Sequence, residues 1–130
     1  MVMNEKMDEG DIIDVAKIRI APDENTETLF GKFAEISGSF AIETIKQLNA
    51  AIIEPYAQDG SRATYCKKIT KEEGFLDFTK AARDLYHLYQ GLTPWPGVYT
   101  LYNGKKLIIE KCFYSEHAAV NEKIGTVVRE

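Results

Sequence analysis

Cys66, Cys112, His87 and His117 are the only thiols and imidazoles among these 130 residues, so soft-metal or nucleophilic chemistry would have to begin with them. No pair has zinc-ligand spacing, and no metal site is expected. Two widely separated cysteines make no disulfide framework, and reduced, mostly packed thiols in a cytoplasmic protein fit better. Asp8 lies just ahead of Gly10 in a polar segment, where an acidic side chain ordinarily serves a turn. The cationic side chains are unevenly spread. Residues 1–65 carry a net charge of −6 and residues 66–130 one of +2. This asymmetry points weakly to an anionic partner for the second half alone, beside the plainer reading of ordinary solvated faces.

The elements that must position these groups follow from periodicity. The composition, 45% apolar and 28% charged, can fill a core and argues against disorder. The length suits one ordinary domain or pieces of two small ones. The opening MVMNEKMDEG is too charged for a signal peptide, and no apolar run approaches membrane-spanning length. Residues 11–20 alternate as a strand does, with Ile12, Ala16, Ile18 and Ile20 on one face. Asn25 can cap a following helix. Leu29, Phe33, Ile36 and Phe40 recur at helical spacing, but Ser37-Gly38-Ser39 interrupts them, so two helices are expected, about 26–37 and 40–49. No period holds from 50 to 68, which reads as a connector. After the polar turn at 71–74, Asp77 can cap a helix whose apolar face runs through Phe78, Ala82, Leu85, Leu88 or Tyr89, and Leu92. Two prolines, Pro94 and Pro96, end it. Strands at 98–102 and 105–113 flank Asn103-Gly104, the dipeptide best suited to a type I′ hairpin turn. A short strand at 126–128 closes the sequence.

Three stretches, in this order, resemble one family. MVMNEKMDEGDII at 1–13 is similar to the pattern M-x-M-D-E-G-L-D-T-G-D-I-L, departing from it at Asn4, Lys6 and Glu9. Gln58-Asp59, Ala63-Thr64-Tyr65 and Lys68-Ile69-Thr70-Lys71-Glu72 resemble Q-D-x-x-x-A-T-Y-x-x-K-I-T-K-E. Gly91-Leu92-Thr93-Pro94-Trp95-Pro96-Gly97 with Tyr99-Thr100 resembles R-G-L-x-P-W-P-G-A-Y-T, with Gln90 in place of the arginine. These are patterns of the methionyl-tRNA formyltransferases, and the resemblance covers nearly the whole chain.

The resemblance implies an α+β architecture in three parts. Residues 1–50 match the end of a Rossmann-like formyltransferase domain, 51–68 a linker, and 69–130 the start of a C-terminal OB-like barrel with one preceding helix and about three strands. The chain is therefore expected to be cut at both ends. The reaction implied is transfer of a formyl group from 10-formyltetrahydrofolate to the amino group of initiator methionyl-tRNA. Asp8 falls on the family's catalytic aspartate, which would orient and charge-stabilise a histidine from the front half. Glu5, Lys6 and Met7 fall on the loop that faces the pterin ring. Lys67, Lys68, Arg83, Lys105, Lys106 and Lys111 are candidate contacts to tRNA phosphates, salt-sensitive and blind to sequence. Tyr99, Tyr102 and Phe113 can stack bases if they face outward. Trp95 is expected to anchor a turn by its apolar ring. Neither His87 nor His117 takes the missing catalytic role, so the chain alone is expected to be inactive. It is also expected to need a separate N-terminal half or to self-associate. Alternatives are a fragment of a sugar-nucleotide N-formyltransferase, a stand-alone weak RNA-binding module, and a remnant of a disrupted reading frame.

Overall fold

Asn103 and Gly104 adopt φ angles of 49° and 74° in the computed structural model, which describes residues 1–115 and 123–127. Two successive left-handed residues suit the right-handed twist of the strands they join. Strands β1 (Val98–Tyr102) and β2 (Lys105–Ile109) pair antiparallel, Val98 opposite Ile109 and Tyr102 opposite Lys105. β2 ends at Ile109 rather than at 113, because the chain bends at Glu110 and Lys111. Thr126 and Val127 belong to no strand, and Val128 lies outside the described residues. The sheet therefore has two strands among the described residues, not three.

The chain divides into two compact units, Met1–Ala21 with Phe30–Lys67, and Pro22–Leu29 with Lys68–Glu130. The second unit owns the core. Helix α2 (Ala82–Leu92) buries Leu85, Tyr89 and Leu92, whose spacing puts them on one helical face. Leu76 and Val98 complete the cluster, with Tyr86, Leu88, Ile109 and Cys112 packed around it. Each large apolar side chain buried this way contributes on the order of 1.5–3 kcal/mol. α2 starts later than expected because Asp77 is used elsewhere. Its Oδ1 accepts from the Thr79 N–H at 3.0 Å and the Thr79 hydroxyl at 2.7 Å, closing a side-chain turn instead of capping the helix. Residues Lys71–Gly74 form a single 3₁₀ turn, with the Glu73 carboxylate accepting the Thr70 N–H at 2.8 Å. Gly74 is buried, and a Cβ there would strike the Gly97 carbonyl, so the two backbones meet where no side chain fits.

Helix α1 (Thr26–Asn49) is one continuous helix, correcting the expected pair. Gly38 keeps a negative φ, and the hydroxyls of Ser37 and Ser39 donate to the carbonyls of Ala34 and Ile36 within the helix. Serines satisfied in this way do not compete for the backbone, so the interruption in the pattern is not a break. Asn25 does cap the start: its Oδ1 accepts the Thr28 N–H at 2.9 Å, and Thr28 Oγ1 accepts the Asn25 N–H at 3.0 Å. The helix ends with Ala51 at φ 53° and the Ile52 N–H donating to the Gln47 carbonyl at 2.9 Å. That is a left-handed cap of the type glycine usually supplies.

The expected strand at 11–20 is also corrected. Only Ile12 pairs, through an isolated antiparallel bridge to Tyr56. Alternation sets which side chains share a face, but a strand forms only where a neighbour takes up its N–H and C=O groups. Among the described residues no strand pairs with 13–20. Among the same residues, no helix is long and apolar enough to cross a membrane, and no three His, Cys, Asp or Glu side chains gather as a metal site.

Candidate active site

Asp8 is positioned by its main chain. It adopts φ 58°, a conformation aspartate tolerates better than most residues. Gln58 fixes it there, its Nε2 donating to the carbonyls of Asp8 and Gly10, each at 2.8 Å. Two further ties close the loop. The Val2 N–H donates to the Asp11 carbonyl at 2.8 Å, and the main chains of Ile12 and Tyr56 exchange hydrogen bonds at 2.8 and 2.9 Å. Gly10 is buried where a Cβ would collide with the Val2 carbonyl oxygen, so this crossing needs glycine. Beside Gln58, Asp59 Oδ1 accepts from the Ser61 N–H at 3.0 Å and its hydroxyl at 2.6 Å, capping the 3₁₀ turn Gly60–Arg62.

These ties bring the first resembling stretch against the second. Between them lies a cleft of about 590 Å3 whose lining includes Asp8, Glu9, Tyr56, Gln58, Arg62 and Tyr65. Gln58 was not singled out from the sequence as a positioning residue. The signal was present in the Gln58-Asp59 pair, but nothing local says that its amide reaches back about fifty positions. The residues expected near a pterin ring divide. Lys6 and Met7 share with Asp8 a hollow of about 140 Å3, whereas Glu5 does not line it. Lys6 is held by Glu9, Nζ to Oε2 3.2 Å, and by its N–H donating to Asn4 Oδ1 at 3.0 Å. Met7 is 88% exposed.

All six basic residues singled out for phosphate contact are exposed. Lys67 falls in the first unit and Lys68, Arg83, Lys105, Lys106 and Lys111 in the second. Lys106 Nζ lies 3.9 Å from the ring centroid of Tyr99, and that ring meets Phe75 at 5.7 Å. The register puts Lys106 diagonal to Tyr99 on one face of the hairpin, within reach of a long side chain. Arg83 lines a shallow cleft with Asp84 and Tyr114. Tyr102 and Phe113 are exposed, and Tyr99 is half-buried. Trp95 does not anchor its turn: the residue is 61% exposed, and the turn is closed instead by the Gly97 N–H donating to the Leu92 carbonyl at 2.9 Å. His87 lies exposed on α2, and His117 is outside the described residues.

Gln90, the departure from the resembling pattern, has its own work. Its Nε2 donates to the carbonyls of Pro22 and Glu24 at 2.8 and 2.7 Å, while the Thr26 hydroxyl donates back to the Gly91 carbonyl at 2.8 Å. The end of α2 thereby grips the segment that starts α1. Among the described residues three groups are shifted from their ordinary values. Glu72 is lowered by its own backbone N–H and by the Thr70 hydroxyl, Asp77 by the Thr79 hydroxyl and N–H, and burial raises the Cys112 thiol.

Comparison with known proteins matches residues 68–130 to the formyl transferase C-terminal domain. The methionyl-tRNA formyltransferase of Caldanaerobacter subterraneus subsp. tengcongensis is 38% identical over 129 residues, covering 99% of this chain and 41% of that protein. The enzyme of the same name from Agathobacter rectalis is 40% identical over 105 residues, 81% of this chain and 34% of its own length. That from Bacillus velezensis is 34% identical over 131 residues, 99% of this chain and 40% of its length. The chain thus spans well under half the length of these relatives.

Proposed function

The chain belongs to the methionyl-tRNA formyltransferase family, and on that premise we propose that it supplies the acidic member of the catalytic group, Asp8, together with part of the tRNA-holding surface. The reaction is formyl transfer from 10-formyltetrahydrofolate to the amino group of initiator methionyl-tRNA, in the cytoplasm. The amine nitrogen bonds to the formyl carbon, the bond from that carbon to the folate nitrogen breaks, and the proton lost by the amine ends on the folate nitrogen. Asp8 orients and charge-stabilises the histidine that assists the proton transfer. Residues 1–67 hold no histidine, so the reading requires that group from outside them.

One observation carries the proposal: the Gln58 amide clamps the carbonyls on either side of Glu9, fixing Asp8 beside an open cleft. A distant glutamine amide also holds the carbonyls of Pro22 and Glu24, so what points to chemistry here is the cleft beside the held residue. The folate fits in part. Lys6 and Met7 offer one wall beside Asp8, and the hollow they line is too small to enclose a pterin, so the reading takes the remaining walls from outside these residues. Residues 1–50 then act as the end of the Rossmann-like domain, 51–68 as linker, and 69–130 as the OB-like domain, where Lys68, Arg83, Lys105, Lys106 and Lys111 meet phosphates without reading sequence, joined by Lys67 of the linker.

The test is a graft. This chain replaces the matching C-terminal residues of the Caldanaerobacter relative, and formyl transfer to methionyl-tRNA is measured. The graft should turn over, and Asp8→Asn should lower kcat by about 10²–10⁴-fold, the usual scale for a lost acid–base group. A graft whose turnover ignores Asp8→Asn would overturn the assignment.

A further inference from the structure

Asn4, Lys6 and Glu9 depart from the resembling pattern in residues 1–13, and the structure joins them to one another. The Lys6 N–H donates to Asn4 Oδ1 at 3.0 Å, and Lys6 Nζ lies 3.2 Å from Glu9 Oε2. The pattern has aspartate, glycine and threonine at these places. Glycine has no side chain to reach forward and threonine carries no charge, so the ion pair needs both departures at once. Asparagine at 4 fits the same logic. Its oxygen accepts the N–H as an aspartate would, without a second carboxylate to draw the ammonium from Glu9. Three changes that complete one network point to one task.

The task is read from what lies between. The pair reaches past Met7 and Asp8, the latter at φ 58°. Glu9 lines the cleft, Lys6 the hollow, and Asp8 both. Glu9 sits between the two carbonyls that Gln58 clamps, so its carboxylate is carried on held backbone. Lys6 precedes the clamp, where the glycine of the pattern would bring backbone freedom. Tying Lys6 forward to Glu9 fixes the entry to Asp8 as the Gln58 amide fixes its exit. We propose that Lys6 and Glu9 are positioning residues for Asp8, their ion pair strapping the turn from the side that Gln58 does not reach. The assignment rests on the function proposed above and adds how this chain, with lysine in place of glycine, keeps the acid aligned. The two side chains are 73% and 48% exposed, so the strap is solvated, weak and open to salt. Turnover therefore carries a salt dependence in kcat, separate from the loss of tRNA affinity that screening of phosphate contacts puts into KM.

The test has two parts. In the 130-residue chain, NMR follows the Asp8 amide and carboxyl signals. Lys6→Gln and Glu9→Gln should move them in the same direction, since each releases the strap, whereas the bare fields of two opposite charges would move them oppositely. The swapped pair Lys6→Glu with Glu9→Lys should bring them back toward the parent. Salt at about 1 M, where the screening length is about 3 Å, should move the parent signals and leave those of Lys6→Gln in place. In the grafted formyltransferase at saturating tRNA, each single variant should lower kcat about two- to fivefold, the range an exposed pair can supply, with KM unchanged and the swap restoring turnover. Opposite shifts at Asp8 in the two single variants, or no recovery in the swap, would overturn the strap. Shared shifts with kcat unaltered would overturn its positioning role. Turnover in the graft that ignores Asp8→Asn removes the reading beneath, whatever Lys6 and Glu9 do.

Discussion

In the first unit Gly10 is the only buried residue among those described, and the candidate site is held by the Gln58 amide, the Ile12–Tyr56 exchange and the Asp59 cap. In the second unit Leu76, Leu85, Tyr89, Leu92 and Val98 are buried together, and its candidate contacts are exposed cations. The two use different physics. Hydrogen bonds are directional but contribute only about 0.5–1.5 kcal/mol net each, so they fix where a group points better than they hold a fold. Apolar burial is non-directional and larger, so it holds a fold while saying little about where a surface lysine goes. The first unit is thus specified in geometry and thin in stability, and the second is the reverse.

The largest expected effect lies in the second unit. Leu85→Ala removes a core side chain and should cost about 2–5 kcal/mol. Amide exchange read residue by residue should show protection lost across α2 and the hairpin, with residues 1–21 and 30–67 unchanged. If those residues lose protection too, the two regions share a core and the contrast fails.

A middle-sized effect concerns surface charge. Removing Lys105 and Lys106 together should weaken retention of tRNA several-fold at low salt, and the difference should vanish at high salt. Retention that survives added salt would instead favour a dedicated, shape-specific RNA site. The smallest effect tests strain in the first unit. Ala51→Gly relieves a left-handed cap that costs an L-residue about 1–2 kcal/mol, so the end of α1 should exchange more slowly and gain at most that much. Faster exchange would mean that the cap is not the strained point.

What could be read from the sequence tracks how local the physics is. Asn103-Gly104 and the face of α2 carried their own instructions, since turn chemistry and helical spacing act within a few residues. Ser37-Gly38-Ser39 misled because serine hydroxyls can be satisfied inside a helix as well as at its ends. Residues 11–20 misled because alternation is visible in a sequence and a pairing partner is not. The ring of Trp95 suggests an anchor for its turn, yet the residue is exposed and the turn closes through its backbone. At the candidate site, Asp8 was legible only through resemblance. The Gln58 clamp and the tyrosine-lined cleft depend on contacts between segments about fifty positions apart, which no local pattern encodes.

The central claim is that the Gln58 amide positions Asp8 for chemistry rather than stabilising the protein. Gln58→Glu keeps the size and removes the donor, leaving two carbonyls facing a carboxylate. In the grafted formyltransferase, formylation of methionyl-tRNA should fall about ten- to a hundredfold in kcat, with little change in KM for tRNA, in protein that stays folded at the assay temperature although two hydrogen bonds of about 0.5–1.5 kcal/mol each are lost. Unaltered kcat, or a fall matched by an equal loss of folded protein, would contradict the account.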